Sequence, residues 1–306
     1  MIATLTLNPA VDKFTSIEQL VPEKKLRCAE MLVQAGGGGI NVCKGIVELG
    51  GSSIAIFPCG GNNGKILKDL LKEQSITAVP IEIKGNTREN IVVIEKATNK
   101  EFKFVMPGPV ISKEEMNVIK TAVMELLNVS FLICSGSLAP GMPESFLAEL
   151  AIIAREKGMK FIVDTSGPAL KAALKEGVYL IKPNMSELCF LVNKKYLELS
   201  EIDAAVDQII TEGTCEVLVV SMGPAGGLLA TRNFKKSFPA PTVKKLSTVG
   251  AGDSMIAGIS WMLEQNKSME DAIQFGLACG TAATVKKGAQ LFKKEDAMKF
   301  FEWMKQ

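Results

Sequence analysis

Histidine is absent from this chain of 306 residues, and aromatic side chains make up only 6% of it. Without histidine there is no Ser-His-Asp triad, no histidine-ligated zinc and no imidazole base. A general base must therefore be an aspartate, glutamate, lysine, tyrosine or cysteine. Acidic residues beside glycine-rich turns gain interest for that reason.

Long apolar runs and clusters of basic residues are missing as well. No segment approaches the roughly 18 to 20 apolar residues that span a bilayer, so we expect no membrane segment. The net charge is +2 without a basic tract, so we expect no nucleic-acid partner. Residues 1–9 lack a basic region and break at Asn8-Pro9, which predicts a buried first strand rather than a signal peptide.

The seven cysteines form no recognisable motif. They are odd in number and widely spaced, and none belongs to a C-x-x-C pair. Neither a zinc ribbon nor a disulfide framework is therefore predicted. We expect small, buried, apolar side chains in a reducing cytoplasm.

Apolar runs typical of buried strands alternate with helical patterns along most of the chain. The strand candidates are 54–57, 131–134, 161–164, 179–181 and 217–220, and a helical pattern follows Pro143 over 144–156. This alternation predicts an α/β fold with a mostly parallel sheet covered on both faces. Segments 12–32 and 86–108 break it, and we expect them to form a small sheet over the site. Because no linker or repeat is present, we expect a single domain over 1–306.

A glycine turn, Gly250-Ala251-Gly252-Asp253, leads into an apolar helical run over 255–263. The backbone amides of residues 251–253 are unobstructed there, and a helix N-terminus carries unpaired donors and partial positive charge that suit an anion. Asp253 adds a base beside this anion hole. An anion hole and a carboxylate are the minimum that is needed to move a phosphoryl group onto a hydroxyl. The alternative is an ordinary N-cap, for which Asp and Ser are favoured.

Two more clusters carry polar groups at strand ends. Gly36 to Gly39 precede Asn41, which we place near the start of a helix; the glycines let a ligand approach the backbone, although a flexible turn with an N-cap is the alternative. Neither this run nor 59–66 satisfies a dinucleotide or phosphate-loop motif. Asn184 and Glu187 share a helix face and can hold Mg²⁺ through its waters, or form a capping box.

The order of these clusters resembles the PfkB family of ribokinase-like carbohydrate kinases. Segments 36–41, 182–187, 221–226 and 250–253 occur in the family's order, and the likeness runs from residue 5 to residue 284. The resemblance implies a ribokinase-like three-layer αβα fold with an inserted β lid. The chain is most similar to the PfkB-type 6-phosphofructokinases, because Gly38 stands where fructose-1-phosphate and tagatose-6-phosphate kinases typically carry a lysine.

The resemblance also implies a role for each matching residue. Asp253 would be the general base, and the turn Gly250, Ala251 and Gly252 would complete the anion hole. The sugar phosphate would contact Asp12, Lys25, Arg27, Gly37, Gly38, Gly39, Asn41, Arg88 and Ser137. ATP would contact Lys182, Asn184, Ser221, Gly223, Gly226 and Thr281, while Asn184 and Glu187 would position Mg²⁺.

These roles predict an ATP-dependent kinase that converts fructose 6-phosphate to fructose 1,6-bisphosphate. Fructose 1-phosphate and tagatose 6-phosphate remain alternative acceptors, whereas Lys25, Arg27 and Arg88 argue against an unphosphorylated sugar or nucleoside. A non-catalytic sensor of the same fold has no need of Asp253, and an oxidoreductase would need the missing fingerprint. Family members commonly pair through their lid sheets, so we expect a homodimer.

Some family members bind K⁺ beside the anion hole. The matching positions here are Ser247, Val249, Ala283, Lys286, Gly288 and Gln290. Lys286 and Lys287 stand where similar members have asparagine and glutamine. Because a lysine ammonium can take the place of the cation, we do not expect K⁺ activation.

Overall fold

The computed structural model of the protein describes residues 1–286 and 291–306. Strands and helices alternate along the chain, as the apolar pattern predicts. The strands are β1 (Ile2–Leu5), β2 (Ala10–Ile17), β3 (Leu32–Gly36), β4 (Ser53–Cys59), β5 (Thr77–Glu82), β6 (Arg88–Glu95), β7 (Lys100–Val105), β8 (Phe131–Ser135), β9 (Lys160–Asp164), β10 (Val178–Ile181), β11 (Cys215–Ser221), β12 (Gly227–Thr231) and β13 (Phe234–Phe238). The α-helices are α1 (Gly38–Glu48), α2 (Gly61–Glu73), α3 (Lys113–Met124), α4 (Phe146–Glu156), α5 (Gly167–Lys175), α6 (Met185–Leu191), α7 (Ile202–Thr211), α8 (Ala251–Glu264), α9 (Met269–Thr284) and α10 (Lys294–Lys305).

Nine strands form the central sheet, in the order β13-β12-β11-β10-β9-β8-β1-β4-β5. The seven from β11 to β5 are parallel, and β12 and β13 continue the sheet antiparallel. Alternate residues of β8 enter different cores, since successive side chains of a strand point to opposite faces. Leu132 packs with α3, α4, α5 and α7, while Ile133 packs with α1, α8 and α9. The expected three-layer αβα architecture is confirmed.

A second sheet of four strands, in the order β3-β2-β6-β7, lies outside the central one. Strands β2, β6 and β7 come largely from the segments 12–32 and 86–108 in which the sequence pattern changes, whereas β3 begins at Leu32, where the first of these segments ends. Val11 and Ala35 of this sheet pack with Leu67 and Leu71 of α2, which fixes one of its faces against the body of the protein. Asp12 projects from the other face, because it is one residue from Val11 along the strand.

Parallel packing gathers the carboxyl ends of the central strands at one edge of the sheet. Ser135, Asp164 and Ser221 are the last residues of β8, β9 and β11, and Lys182 follows β10 directly. The fold itself therefore brings together the polar residues at these strand ends.

None of the described helices is long and apolar enough to cross a membrane.

Three local interpretations need correction. The helix expected over 144–156 begins at Phe146, because Phe146 N–H closes a turn onto Pro143. Helix α1 begins at Gly38, so Asn41 lies near the helix start as expected, but it is not the N-cap that the alternative interpretation requires. Six of the seven cysteines are buried as expected and none forms a disulfide, but Cys28 is exposed on the loop between β2 and β3.

Candidate active site

A cleft of about 280 Å³ opens at the carboxyl edge of the central sheet. Its walls come from the ends of β8, β9 and β10 and from the first turns of α6 and α8. The lining residues are Ser135, Gly136, Ser137, Asp164, Thr165, Ser166, Lys182, Asn184, Glu187 and Asp253. Five of them, including Asp253, were expected from the sequence to bind substrate, nucleotide or metal.

Asp253 lies in the first turn of α8 and points into the cleft. Its carboxylate accepts hydrogen bonds from Asn41 Nδ2 at 2.9 Å and from Ser135 Oγ at 3.1 Å. The helix is capped by Gly250, whose φ of 71° is left-handed and so favours glycine. Asp253 is therefore not an N-cap, and the alternative interpretation of this residue is wrong.

The pKa of Asp253 is raised from 3.8 to about 6. Burial is the main cause, and the nearby charge of Asp164 adds to it; Asn41, Ser135 and Lys182 oppose the shift. A carboxylate with a pKa near the working pH is well suited to accept a proton. The site thus holds a carboxylate base, which is one of the residue types left to a chain without histidine.

Two backbone amides beside Asp253 are available to an anion. Among the described residues, no acceptor contacts the N–H of Gly252 or of Asp253, while Ala251 N–H makes a long bond of 3.4 Å to Thr248 O. The Lys182 ammonium lies 3.3 Å from the place where a Cβ on Gly252 would stand. Amides, helix dipole and ammonium therefore converge on one point of the cleft, as an anion hole requires.

The glycine run packs closely against β1 and β8. A Cβ on Gly38 would lie 2.3 Å from Ser135 Oγ and 2.7 Å from Ser135 C, and a Cβ on Gly39 would lie 2.5 Å from Leu5 O. Gly37 has a φ of 118°, which side chains rarely adopt. The run is thus a tightly packed surface rather than a flexible turn.

On the small sheet, Asp12 lies beside the glycine run, because a Cβ on Gly36 would overlap its carboxylate. Asn90 Nδ2 donates to Asp12 Oδ1 at 2.8 Å, and the two residues are paired across β2 and β6. Arg88 donates from its two Nη atoms to Asn8 O and Met106 O, each at 2.8 Å, and its Nε is buried without a partner among the described residues. The guanidinium therefore joins the edge of the small sheet to the loop after β1.

Lys25 and Arg27 are not brought to this site. Both are exposed on the loop between β2 and β3. That loop rejoins β2 where Ala29 N–H donates to Ser16 O at 2.8 Å, four residues past Asp12. A separation of four residues is about 13 Å along a strand. Within one subunit the two basic residues thus lie at the far end of the small sheet.

Lys182 and Asp164 form a buried ion pair, with 3.2 Å between Nζ and Oδ1. Sequence reasoning named Lys182 but missed Asp164, although the residue ends a strand-like apolar run and that position was a usable signal. Burial lowers the pKa of Lys182, but the negative charges of Asp164, Glu187 and Asp253 outweigh this effect. The pKa of Lys182 is therefore raised. The lysine therefore stays charged among three carboxylates.

Asn184 and Glu187 form the capping box of α6. Asn184 Oδ1 accepts from Glu187 N–H at 3.0 Å, and Glu187 Oε2 accepts from Asn184 N–H at 2.9 Å. The structural alternative for this pair is therefore confirmed, yet both residues also line the cleft. Burial and the charge of Asp164 raise the pKa of Glu187, so a cation placed between these carboxylates would be stabilised.

The residues expected to contact a nucleotide lie on the neighbouring strand end. Ser221 pairs with Asn184 in an isolated bridge, and its hydroxyl donates to Pro183 O at 3.4 Å. Gly223 and Gly226 have φ of 57° and 95°, and they shape the turn into β12. Thr281 is nearly buried on α9. None of these four residues is among those that line the described cleft, and their contact with a nucleotide stays a prediction.

Of the positions expected beside a K⁺ ion, Gly288 and Gln290 lie outside the described residues. Ser247 is buried, and its hydroxyl accepts from Val249 N–H at 3.2 Å. Lys286 Nζ pairs with Asp296 Oδ2 of α10 at 2.7 Å. The ammonium of Lys286 is thus held by a carboxylate of the last helix.

Replacing Asp253 by asparagine should change the pH dependence of stability. Folding raises the pKa of this carboxyl from 3.8 to about 6. The folded state therefore loses stability as the pH rises through this range; the loss is absent below pH 3.8 and complete above pH 6. The stability of Asp253→Asn relative to the unmodified protein should thus grow between pH 4.5 and pH 7, by at most about 3 kcal/mol. Denaturation curves across this range measure it, with the exposed Asp203→Asn as control. A difference that does not vary with pH would contradict the prediction.

Comparison with known proteins places the whole chain. The model of the pfkB family carbohydrate kinases matches residues 2–296. The chain is 40% identical over 305 residues to the ATP-dependent 6-phosphofructokinase isozyme 2 of Escherichia coli K12, covering 99% of this chain and 98% of that protein. Over 287 residues it is 34% identical to a 1-phosphofructokinase of Borreliella burgdorferi, covering 94% and 92%.

A solved structure agrees with these sequence matches. The crystal structure of phosphofructokinase-2 from Escherichia coli in complex with potassium matches with a TM-score of 0.96 and 39% identity, over 100% of this chain and 99% of that one. The family resemblance and the ribokinase-like fold predicted from the motifs are thereby confirmed. This chain belongs to the PfkB family of carbohydrate kinases.

Proposed function

We propose that the protein is an ATP-dependent sugar-phosphate kinase that phosphorylates fructose 6-phosphate to fructose 1,6-bisphosphate. The observation that carries the proposal is the Asp253 carboxylate, held by Asn41 and Ser135 beside the amides of Gly252 and Asp253. The Escherichia coli relative is a 6-phosphofructokinase, which supports the choice of acceptor. The Borreliella burgdorferi relative is a 1-phosphofructokinase, so fructose 1-phosphate stays an alternative acceptor.

Proton transfer and phosphoryl transfer are coupled at this site. Asp253 takes the proton of the sugar C1 hydroxyl as that oxygen attacks the γ-phosphorus of ATP. The new P–O bond forms while the bond to the β,γ-bridging oxygen breaks, so ADP leaves with the electron pair. The free amides and the Lys182 ammonium stabilise the charge on the transferring group, which is the main contribution a protein makes to this reaction.

Magnesium fits the oxygen-rich wall of the cleft around Asn184 and Glu187. No group of three or more acidic, histidine or cysteine side chains among the described residues forms a metal cage. Mg²⁺ usually keeps its waters and is bound by one or two carboxylates plus the phosphates of the substrate. We therefore assign Glu187 and Asn184, with Asp164 beside them, to hold the ion, which supplies charge neutralisation to the phosphates of ATP.

The sugar phosphate is bound between the glycine run and the small sheet. We assign its hydroxyls to Asp12, Asn41, Ser137 and the amides of residues 37–39, and its phosphate to Arg88. The tight contact of Gly38 with Ser135 leaves no room for the lysine of the kinases that use fructose 1-phosphate or tagatose 6-phosphate, which favours fructose 6-phosphate. We also propose that 1–306 acts as a single kinase domain, in which segments 12–32 and 86–108 close as a lid.

We infer that two copies pair through their small sheets. Leu32 and Val105 are 49% and 65% exposed, and strand register puts both on the face of Asp12. The loop that carries Lys25 and Arg27 follows the same sheet, so we place these two residues at the contact between subunits. K⁺ is not among the proposed cofactors, because a lysine, Lys286, stands at a position expected to line the cation site; its ammonium is paired with Asp296.

We also propose a cytoplasmic location, because the free cysteines suit a reducing compartment.

The acceptor is tested by a coupled ADP-release assay with ATP and Mg²⁺. Fructose 6-phosphate should give the highest kcat/KM among fructose 6-phosphate, fructose 1-phosphate, tagatose 6-phosphate and free fructose. Asp253→Asn should lower kcat by at least about a hundredfold, because the base is lost. If another phosphosugar wins, the mechanism stands and the acceptor is wrong. If no acceptor reacts although ATP binds, the protein is a sensor instead of a kinase.

Replacing Arg88 by alanine should weaken sugar-phosphate binding selectively. Loss of charge-assisted hydrogen bonds should raise the KM for the sugar phosphate about ten- to a hundredfold, and the KM for ATP should stay within about twofold. Steady-state kinetics with each substrate varied in turn measure both values. Arg155→Ala, on α4 and away from the cleft, is the matched control. An unchanged KM for the sugar phosphate in Arg88→Ala would remove Arg88 from the phosphate site.

The dimer is tested by sedimentation velocity. A glutamate in place of Leu32 should shift the protein from dimer to monomer, because two charges would be buried at the contact. Leu199→Glu, at a leucine that is 79% exposed outside the small sheet, should leave the dimer intact. A monomeric unmodified protein, or a dimeric Leu32→Glu variant, would contradict pairing through this face.

A further inference from the structure

Lys44 places a positive charge behind the glycine run, where the mechanism above makes no use of it. The residue follows Asn41 by three positions on α1, so both share a face of the helix. Its side chain runs back toward the start of the helix, and Nζ donates to Ala35 O of β3 at 3.3 Å. The ammonium is thus tied to the strand that leads into the glycines.

Two carboxylates lie near this ammonium on different elements. Ala35, whose carbonyl accepts from Lys44, is paired with Val11, the neighbour of Asp12 on β2. Asn41, one turn before Lys44, donates to Asp253. Asp12 on β2 and Asp253 on α8 both raise the pKa of Lys44, against the larger effect of burial, which lowers it. The hydrogen bond of Lys44 goes to a backbone carbonyl rather than to a carboxylate. Its charge therefore acts on Asp12 and Asp253 through space.

Asp12 is the group that most needs such a charge. Burial raises its pKa, and three neighbours oppose that shift: the hydrogen bond from Asn90, the charge of Arg88 and the charge of Lys44. An ionised carboxylate only accepts hydrogen bonds, whereas a protonated one also donates. A sugar hydroxyl that donates to Asp12 needs the ionised form. An incoming phosphate dianion engages Arg88 and so weakens the effect of that charge on Asp12.

We propose that Lys44 is a positioning residue that keeps Asp12 ionised in the presence of a polyol phosphate and fixes the glycine run through the carbonyl of Ala35. The role of Asp12 in holding a sugar hydroxyl rests on the proposed function. The placement of Lys44 between the two carboxylates does not. Its positive charge is the property that matters, so arginine can replace it and a neutral side chain of equal length cannot.

The first test needs no substrate. The full chain is labelled with ¹³C at the aspartate carboxyls, and the Asp12 signal is assigned from its loss in Asp12→Asn. In Lys44→Met the titration of Asp12 should move up by about one pH unit, because a nearby opposite charge is removed. Lys44→Arg should leave the titration in place. An unshifted titration in Lys44→Met overturns the proposal, and Lys44→Gln replaces that variant if it does not fold.

Kinetics supply the second test. At pH 7, Lys44→Met should raise the KM for the preferred sugar phosphate about tenfold and leave the KM for ATP unchanged. The acidic limb of kcat/KM should move to higher pH, and Lys44→Arg should restore both. A sugar-phosphate KM equal to that of the unmodified enzyme overturns the proposal. If no acceptor reacts with the unmodified protein, the proposed function fails and the titration alone decides the role of Lys44.

Discussion

The site depends on one buried carboxylate that three separate elements hold in place. Asp253 belongs to α8, and its oxygens accept from Asn41 on α1 and Ser135 on β8. Burial of a carboxylate is costly unless hydrogen bonds compensate for the lost water. Helices α1 and α8 and the centre of the sheet are therefore fixed relative to each other by the same contacts that orient the base. The same contacts therefore affect both stability and reactivity. The part of the burial cost that the hydrogen bonds do not offset raises the pKa of Asp253.

Negative charge accumulates on the side of the cleft where Lys182 lies. Asp164, Glu187 and Asp253 each contribute a carboxylate to the lining, and one ammonium stands among them. Such a cluster repels a bare polyphosphate and accepts one that carries a divalent cation. The anion hole at the start of α8 is small by comparison, since it consists of two free amides and the end of a helix dipole. In the proposed function, a metal ion and the amides would thus divide the binding of ATP between them.

The sequence was sufficient for the features that local pattern determines. Continuous apolar runs predicted the parallel strands, because strands buried on both faces carry no polar alternation. The turn 250–253 could be predicted because its glycines mark a turn, and glycine is favoured in the left-handed backbone found at Gly250. Asp164 was missed although it ends an apolar run, whereas Asn90 and Lys44 were missed because their neighbours come from distant parts of the chain. The predicted gathering of Lys25 and Arg27 with Asp12 failed within one subunit for the same reason, as the register of β2 and β3 carries them to the far end.

The close packing of Gly38 against the end of β8 has a consequence for the base Asp253. A longer side chain at this position collides with the backbone of Ser135 and Gly136, and Ser135 also holds the base. A substitution of this glycine must therefore displace the strand end that orients the base, and so couples the shape of the glycine run to proton transfer.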